Sequence, residues 1–128
     1  RRLPSGSLAV EYARFSSVMP RCAVNVHHGG IGSTGQGLRA GRPTVVIPHA
    51  HDQFDNAARL KRLGVSETLP RPKVTPPRLA QALRAMLDDP ACAARARALG
   101  EGVAAEDGAL VAAQSLEQVL GNNLNKST

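Results

Sequence analysis

Hydrophobic positions fall in short runs along the first half of the chain and at helical spacing along the second. Leu8-Ala9-Val10-Glu11-Tyr12-Ala13 reads as a weak strand running into a loop. Ser16 to Met19 fits one helical turn, stopped by Pro20. Cys22-Ala23-Val24-Asn25-Val26 reads as a buried strand that enters a Gly-rich turn, His27 to Thr34. A helix is predicted from about Ser33 to Ala40, closed by Gly41. Thr44-Val45-Val46-Ile47 is a β-branched run that suits a buried parallel strand. His49 to Asp55 is a loop, and Asp52 or Asp55 is the expected cap of a helix running on to Gly64.

Val65 to Leu69 reads as one more short strand, and the Pro-rich stretch Arg71 to Pro77 as loop. Beyond it Leu79, Leu83, Met86 and Leu87 recur at helical spacing. Asp88-Asp89-Pro90 is a break, followed by helices over Ala91 to Ala105 and Gly108 to Leu120. The order strand, Gly-rich turn, helix, strand, helix, strand, helices is half of a doubly wound α/β sheet: a Rossmann-like half-domain, parallel sheet flanked by helices, with a helical C-terminal tail. The expected division is one domain over 1–121 and a disordered tail over 122–128. Such a sheet needs more strands than these. The chain also opens on Arg1-Arg2-Leu3-Pro4 without Met, so a domain truncated on its N-terminal side is expected.

Composition narrows the picture. Tyr12, Phe15 and Phe54 are the only aromatics, so the core must be aliphatic. The net charge of +6 comes mostly from Arg scattered along an Ala-rich chain. Without a basic block or interleaved aromatics it does not form a nucleic-acid surface. Cys22 and Cys92 are isolated and fit neither a metal motif nor a disulfide framework, which points to a reducing, cytoplasmic compartment. No signal peptide is visible, and no run approaches the roughly 18 apolar residues of a membrane span.

The candidate chemistry sits in two loops. Glycines let the backbone take positive φ and let a ligand come close. A helix N-terminus offers free N–H groups and the positive end of its dipole. Together they make an anion site suited to phosphate. Ser33 and Thr34 add hydroxyls, and His28 adds a ring N–H. The pattern is neither a P-loop nor the dinucleotide fingerprint. A turn present only for tight strand-to-helix packing is the plain alternative. Loops at the carboxyl ends of parallel strands share one crevice, so Asp52-Gln53 should lie near this turn. An acid beside an amide suits neighbouring sugar hydroxyls. The plain alternative here is a helix cap beside a solvated amide.

Taken together, His27-His28-Gly29-Gly30-Ile31-Gly32-Ser33-Thr34, Leu38-Arg39-Ala40-Gly41-Arg42-Pro43, Pro48, Asp52-Gln53, Asn56-Ala57 and Leu63-Gly64-Val65 resemble the C-terminal, donor-binding domain of GT-B glycosyltransferases. The narrower likeness is to the UDP-sugar-dependent transferases that include plant secondary-product enzymes and bacterial sterol, antibiotic and glycolipid transferases. The resemblance implies that His28, Gly30, Gly32, Ser33 and Thr34 hold the diphosphate, and that Asp52 and Gln53 grip the transferred sugar. It places Tyr12 and Ala13 at the base by a looser match. Gln36 stands where plant members carry a ribose-binding Glu, which makes a dTDP-sugar more plausible beside UDP-sugar. His27 and His51 match no family role and read as supporting or solvated residues.

The reaction so implied is hexosyl transfer from a nucleoside-diphosphate sugar to a hydroxyl of a small-molecule or lipid acceptor, which can lie at a membrane surface. No metal and no further cofactor are expected, because helix N-terminus and imidazole stabilise the leaving diphosphate. The acceptor base is expected in an N-terminal domain outside this chain. The catalytic set of the fragment is therefore empty, and alone it should be inactive. A stand-alone nucleotide- or phosphosugar-binding module and a sugar-nucleotide epimerase of GT-B architecture are the competing readings.

Overall fold

The structure, a computed structural model, describes residues 3–124. Its centre is a parallel sheet of three strands in the order β1-β2-β3: β1 Asn25–His27, β2 Thr44–Val46 and β3 Ser66–Thr68. The register pairs Val26 with Val45 and Val45 with Glu67. Six helices accompany it: α1 Phe15–Val18, α2 Ile31–Arg39, α3 Gln53–Arg62, α4 Pro76–Leu87, α5 Pro90–Ala105 and α6 Gly108–Leu124. Short 3-10 turns cover Met19–Arg21 and Arg71–Lys73.

β2 is buried throughout, and successive side chains on a strand face opposite ways. Val45 therefore joins Leu69, Ala82, Met86 and Cys92 in one core cluster. Val46 joins Ala57, Leu60, Val65 and Ala96 in the other. α5 serves both, through Cys92 and Ala96. Side chains cap three helices: Thr75 accepts from the Arg78 N–H, Asp89 from the Cys92 N–H and Asp107 from the Leu110 N–H.

α2 and α5 cross at very close range. A Cβ on Gly100 would lie 2.6 Å from the Gly41 Cα. The Arg39 guanidinium then reaches the carbonyls of Val103 and Ala104 at 3.3 Å, satisfying the C-terminal end of α5. α6 differs from the other long helices, for all its side chains over 108–121 are exposed.

Four expectations change. Leu8–Ala13 forms no strand; Leu8, Val10 and Tyr12 are exposed, and among the described residues nothing pairs with them. The first strand starts at Asn25 rather than Cys22, because Cys22 closes the preceding turn with its N–H on the Met19 carbonyl. The Pro-rich stretch is partly ordered, with the 3-10 turn at its start and α4 beginning at Pro76. α6 runs on to Leu124, and the rest of the expected tail lies outside the described residues. None of the described helices is long and apolar enough to cross a membrane.

Candidate functional site

β1 and β2 are parallel, so α2 and α3 both start from the carboxyl ends of the strands. The turn from β1 into α2 is His28-Gly29-Gly30. Gly29 is buried at φ +87°, and a Cβ there would lie 2.7 Å from Val46 Cγ1 and 3.2 Å from the Gln53 carbonyl oxygen. Only glycine lets the turn lie this close to β2 and to the start of α3. The Gly29 N–H donates to His27 Nδ1 at 3.0 Å. The Gly29 carbonyl accepts from Asn56 Nδ2 at 2.9 Å.

His28 is exposed, and its ring folds over Gly30, where a Cβ would lie 2.6 Å from Nε2. Gly30 is the N-cap of α2, and its carbonyl takes the Thr34 N–H. The N–H groups of Ile31, Gly32 and Ser33 are the orphan donors of this helix end. Nothing within 4 Å would meet a Cβ on Gly32 or Gly35, so that side of α2 is open. Imidazole, three N–H groups and the half-exposed Ser33 thus lie at one uncrowded helix end.

Thr34 does not join them. It is 7% exposed, and its hydroxyl is buried without a partner among the described residues. Thr34, Gly37 and Leu38 form the inward stripe of α2, one helical turn apart, which is why adjacent Ser33 and Thr34 face different ways. Thr34 lines a cavity of about 10 Å³ with His27 and Thr44, too small for any ligand.

His27 has a structural role that the sequence did not disclose. Its Nδ1 accepts the Gly29 N–H, which requires the neutral ring with the proton on Nε2. Burial, and then the neighbouring His28, hold its pKa below the ordinary 6.5.

The second loop leaves β2 through buried Pro48 and turns at His51, φ +55°. Gln53 Oε1 accepts the N–H groups of His49 at 2.8 Å and Ala50 at 3.2 Å. Its carbonyl is occupied by the loop itself, and its NH2 is left for other partners. Neither Asp52 nor Asp55 caps α3 as expected. Asp52 is at the N-cap position in helical conformation and bonds no backbone N–H there. Asp55 pairs with Arg59 at 2.7 Å on the surface. Asp52 Oδ2 instead accepts from Asn56 Nδ2 at 2.9 Å. The exposed carboxylate keeps its other oxygen without a partner among the described residues.

Tyr12, Ala13 and Gln36, far apart in sequence, line one surface recess of about 470 Å³ together with Glu11. Tyr12 is 82% exposed there. The recess runs beside α2, beyond its first turn. The structure thus brings together His28, Gly30, Gly32 and Ser33 at one helix end, Asp52 and Gln53 at the adjacent one, and Tyr12, Ala13 and Gln36 alongside. His51 is exposed in the second loop. No cluster of His, Cys, Asp and Glu suited to a metal ion occurs among the described residues.

Comparison with known proteins gives a consistent result. The model of the family described as erythromycin biosynthesis protein CIII-like, C-terminal domain, matches residues 1–119. The O-mycaminosyltylonolide 6-deoxyallosyltransferase of Streptomyces fradiae is 46% identical over 107 residues, 83% of this chain and 25% of that protein. The chain spans between 8% and 28% of the length of the curated relatives it matches. Among solved structures, the glycotransferase of kitacinnamycin superposes with a TM-score of 0.81 at 34% identity, over 91% of this chain and 30% of the other. The glycosyltransferase VinC, solved in complex with dTDP, gives a TM-score of 0.76 at 30% identity, over 81% of this chain and 26% of the other.

Proposed function

Since the chain belongs to the erythromycin biosynthesis protein CIII-like family of C-terminal domains of GT-B glycosyltransferases, we propose that it is the donor-binding part of an enzyme transferring a hexosyl group from a nucleoside-diphosphate sugar to a hydroxyl. One observation carries this reading. The Gly-rich turn and Asp52 meet at the carboxyl ends of two neighbouring strands, joined through Asn56. An anion site beside a carboxylate suits a ligand that is phosphate at one end and polyhydroxyl at the other.

In this reading the diphosphate lies at the start of α2, against the N–H groups of Ile31, Gly32 and Ser33, the Ser33 hydroxyl and the His28 ring. Asp52 and the Gln53 NH2 bind sugar hydroxyls. Gln36, Tyr12 and Ala13 take the ribose and base in their recess. The buried Thr34 hydroxyl is left out of the contact set. A neutral Gln36, with the dTDP-bound relative, favours a dTDP-sugar over a UDP-sugar.

In the transfer the acceptor oxygen attacks the anomeric carbon. The bond from that carbon to the phosphate oxygen breaks, and the electron pair leaves on the diphosphate. The acceptor proton passes to a base on another part of the longer protein, so this chain alone does not turn over. The growing phosphate charge meets the helix dipole and the His28 donor. Preorganised donors of this kind lower the barrier where charge develops, and the reaction then draws on no metal. The setting is cytoplasmic, where sugar nucleotides are made.

Titration calorimetry on the full-length protein with dTDP, UDP and ATP tests the reading. We expect dTDP to bind at least as well as UDP, and ATP much more weakly. Equal binding of all three, or of none, overturns it.

A further inference from the structure

We infer that Asn56 is a positioning residue that holds the phosphate-binding turn and the sugar-binding carboxylate in fixed relation. The inference rests on the donor-site reading above. It starts from one side chain. Asn56 lies on the first turn of α3, where Ala57 and Leu60 form the buried stripe. It is 9% exposed, in a place where an apolar residue would pack as well. A buried amide there is costly unless it is hydrogen-bonded.

Both of its bonds leave from Nδ2. One goes to the Gly29 carbonyl at 2.9 Å, across 27 residues of sequence. The other goes to Asp52 Oδ2 at 2.9 Å. Both acceptors are oxygens, so only the NH2 end of the amide can face them. One nitrogen with two hydrogens therefore spans the turn and the carboxylate. The Gly29 N–H is held by His27, so with Asn56 on the carbonyl the peptide units on both sides of Gly29 are fixed.

The bond to Asp52 is charge-assisted, the stronger kind. It selects one orientation of an exposed carboxylate that otherwise rotates in solvent. Asp52 makes no capping bond to α3 that would do this instead. The arrangement leaves one Asp52 oxygen available at a set distance from the turn. A ligand that bridges the turn and Asp52 gains from that preorganisation, and a bare diphosphate does not.

The test is a double-mutant cycle on the full-length protein, read as binding of dTDP-glucose and of dTDP. Asn56→Ala should weaken dTDP-glucose by roughly tenfold more than it weakens dTDP, the scale of one hydrogen bond to a charged group. In an Asp52→Ala background that extra loss should vanish, because the carboxylate it orients is gone. Should Asn56→Ala not fold, Asn56→Ser keeps a shorter donor in less space and should show the same coupling, reduced. A merely structural role predicts equal losses for both ligands in both backgrounds, and that result overturns the inference. So do unchanged affinities in a folded variant. A wild-type protein that binds dTDP-glucose no better than dTDP, with Asp52→Ala silent, overturns the donor-site reading, and this inference with it.

Discussion

His27 and His28 are adjacent in sequence and divided in task. The ring of His27 points back into the fold and holds the Gly29 N–H, while that of His28 lies on the surface against Gly30. On the proposed reading, replacing His28 by Ala in the full-length protein removes a donor at the leaving diphosphate and little else. Turnover should fall on the order of 10²-fold with the melting temperature nearly unchanged, checked by steady-state kinetics beside a thermal melt. His27 responds to pH. Its folded pKa is below 6.5, so near and below that value the unfolded chain binds a proton that the folded chain refuses. The His27 contribution is therefore complete above pH 6.5 and is lost as pH falls through the folded pKa. Melts between pH 7.5 and 5 should show a declining midpoint in this window, with a shallower slope in His27→Gln.

Among the elements, α2 depends on its crossing with α5. Gly100 faces Gly41 with no room for a methyl group, since the nearest atoms belong to backbone. Gly100→Ala should destabilise by about 1–3 kcal/mol, the usual cost of overpacking, measured by urea unfolding. A small effect would mean that α5 can move away from α2.

Elements marked by their own residues were readable from the sequence. Gly41 and Gly64 sit at φ +64° and +70° past the ends of α2 and α3, and the Val45-Val46 run is the buried middle strand. Leu8 to Ala13 reads as a strand but forms none, because a short apolar run does not supply the neighbour that completes a ladder. The site divided in the same way. His28, Asp52 and Gln53 could be picked out from residue type and loop position. The Asn56 bridge could not, because its bond to Gly29 joins residues 27 apart and exists only once α3 lies against the turn. Thr34 was a missed inference: its spacing from Gly37 and Leu38 already placed it on the inward face.

At the scale of the whole molecule, the sheet ends in β1, and among the described residues no strand pairs with its outer edge. Val26 on that strand is 45% exposed, and Leu8, Val10 and Phe15, earlier in the chain, are exposed as well. For the 128-residue chain in solution the consequence is colloidal. An open edge beside apolar surface is a template for sticking to another copy. What opposes it is a net charge of +6. That repulsion has a range set by dissolved salt, about 10 Å at 0.1 M and about 3 Å at 1 M. Light scattering on a dilution series should therefore find single chains at low ionic strength and growing assemblies as sodium chloride is added. A particle size independent of salt would mean that charge is not what keeps the copies apart.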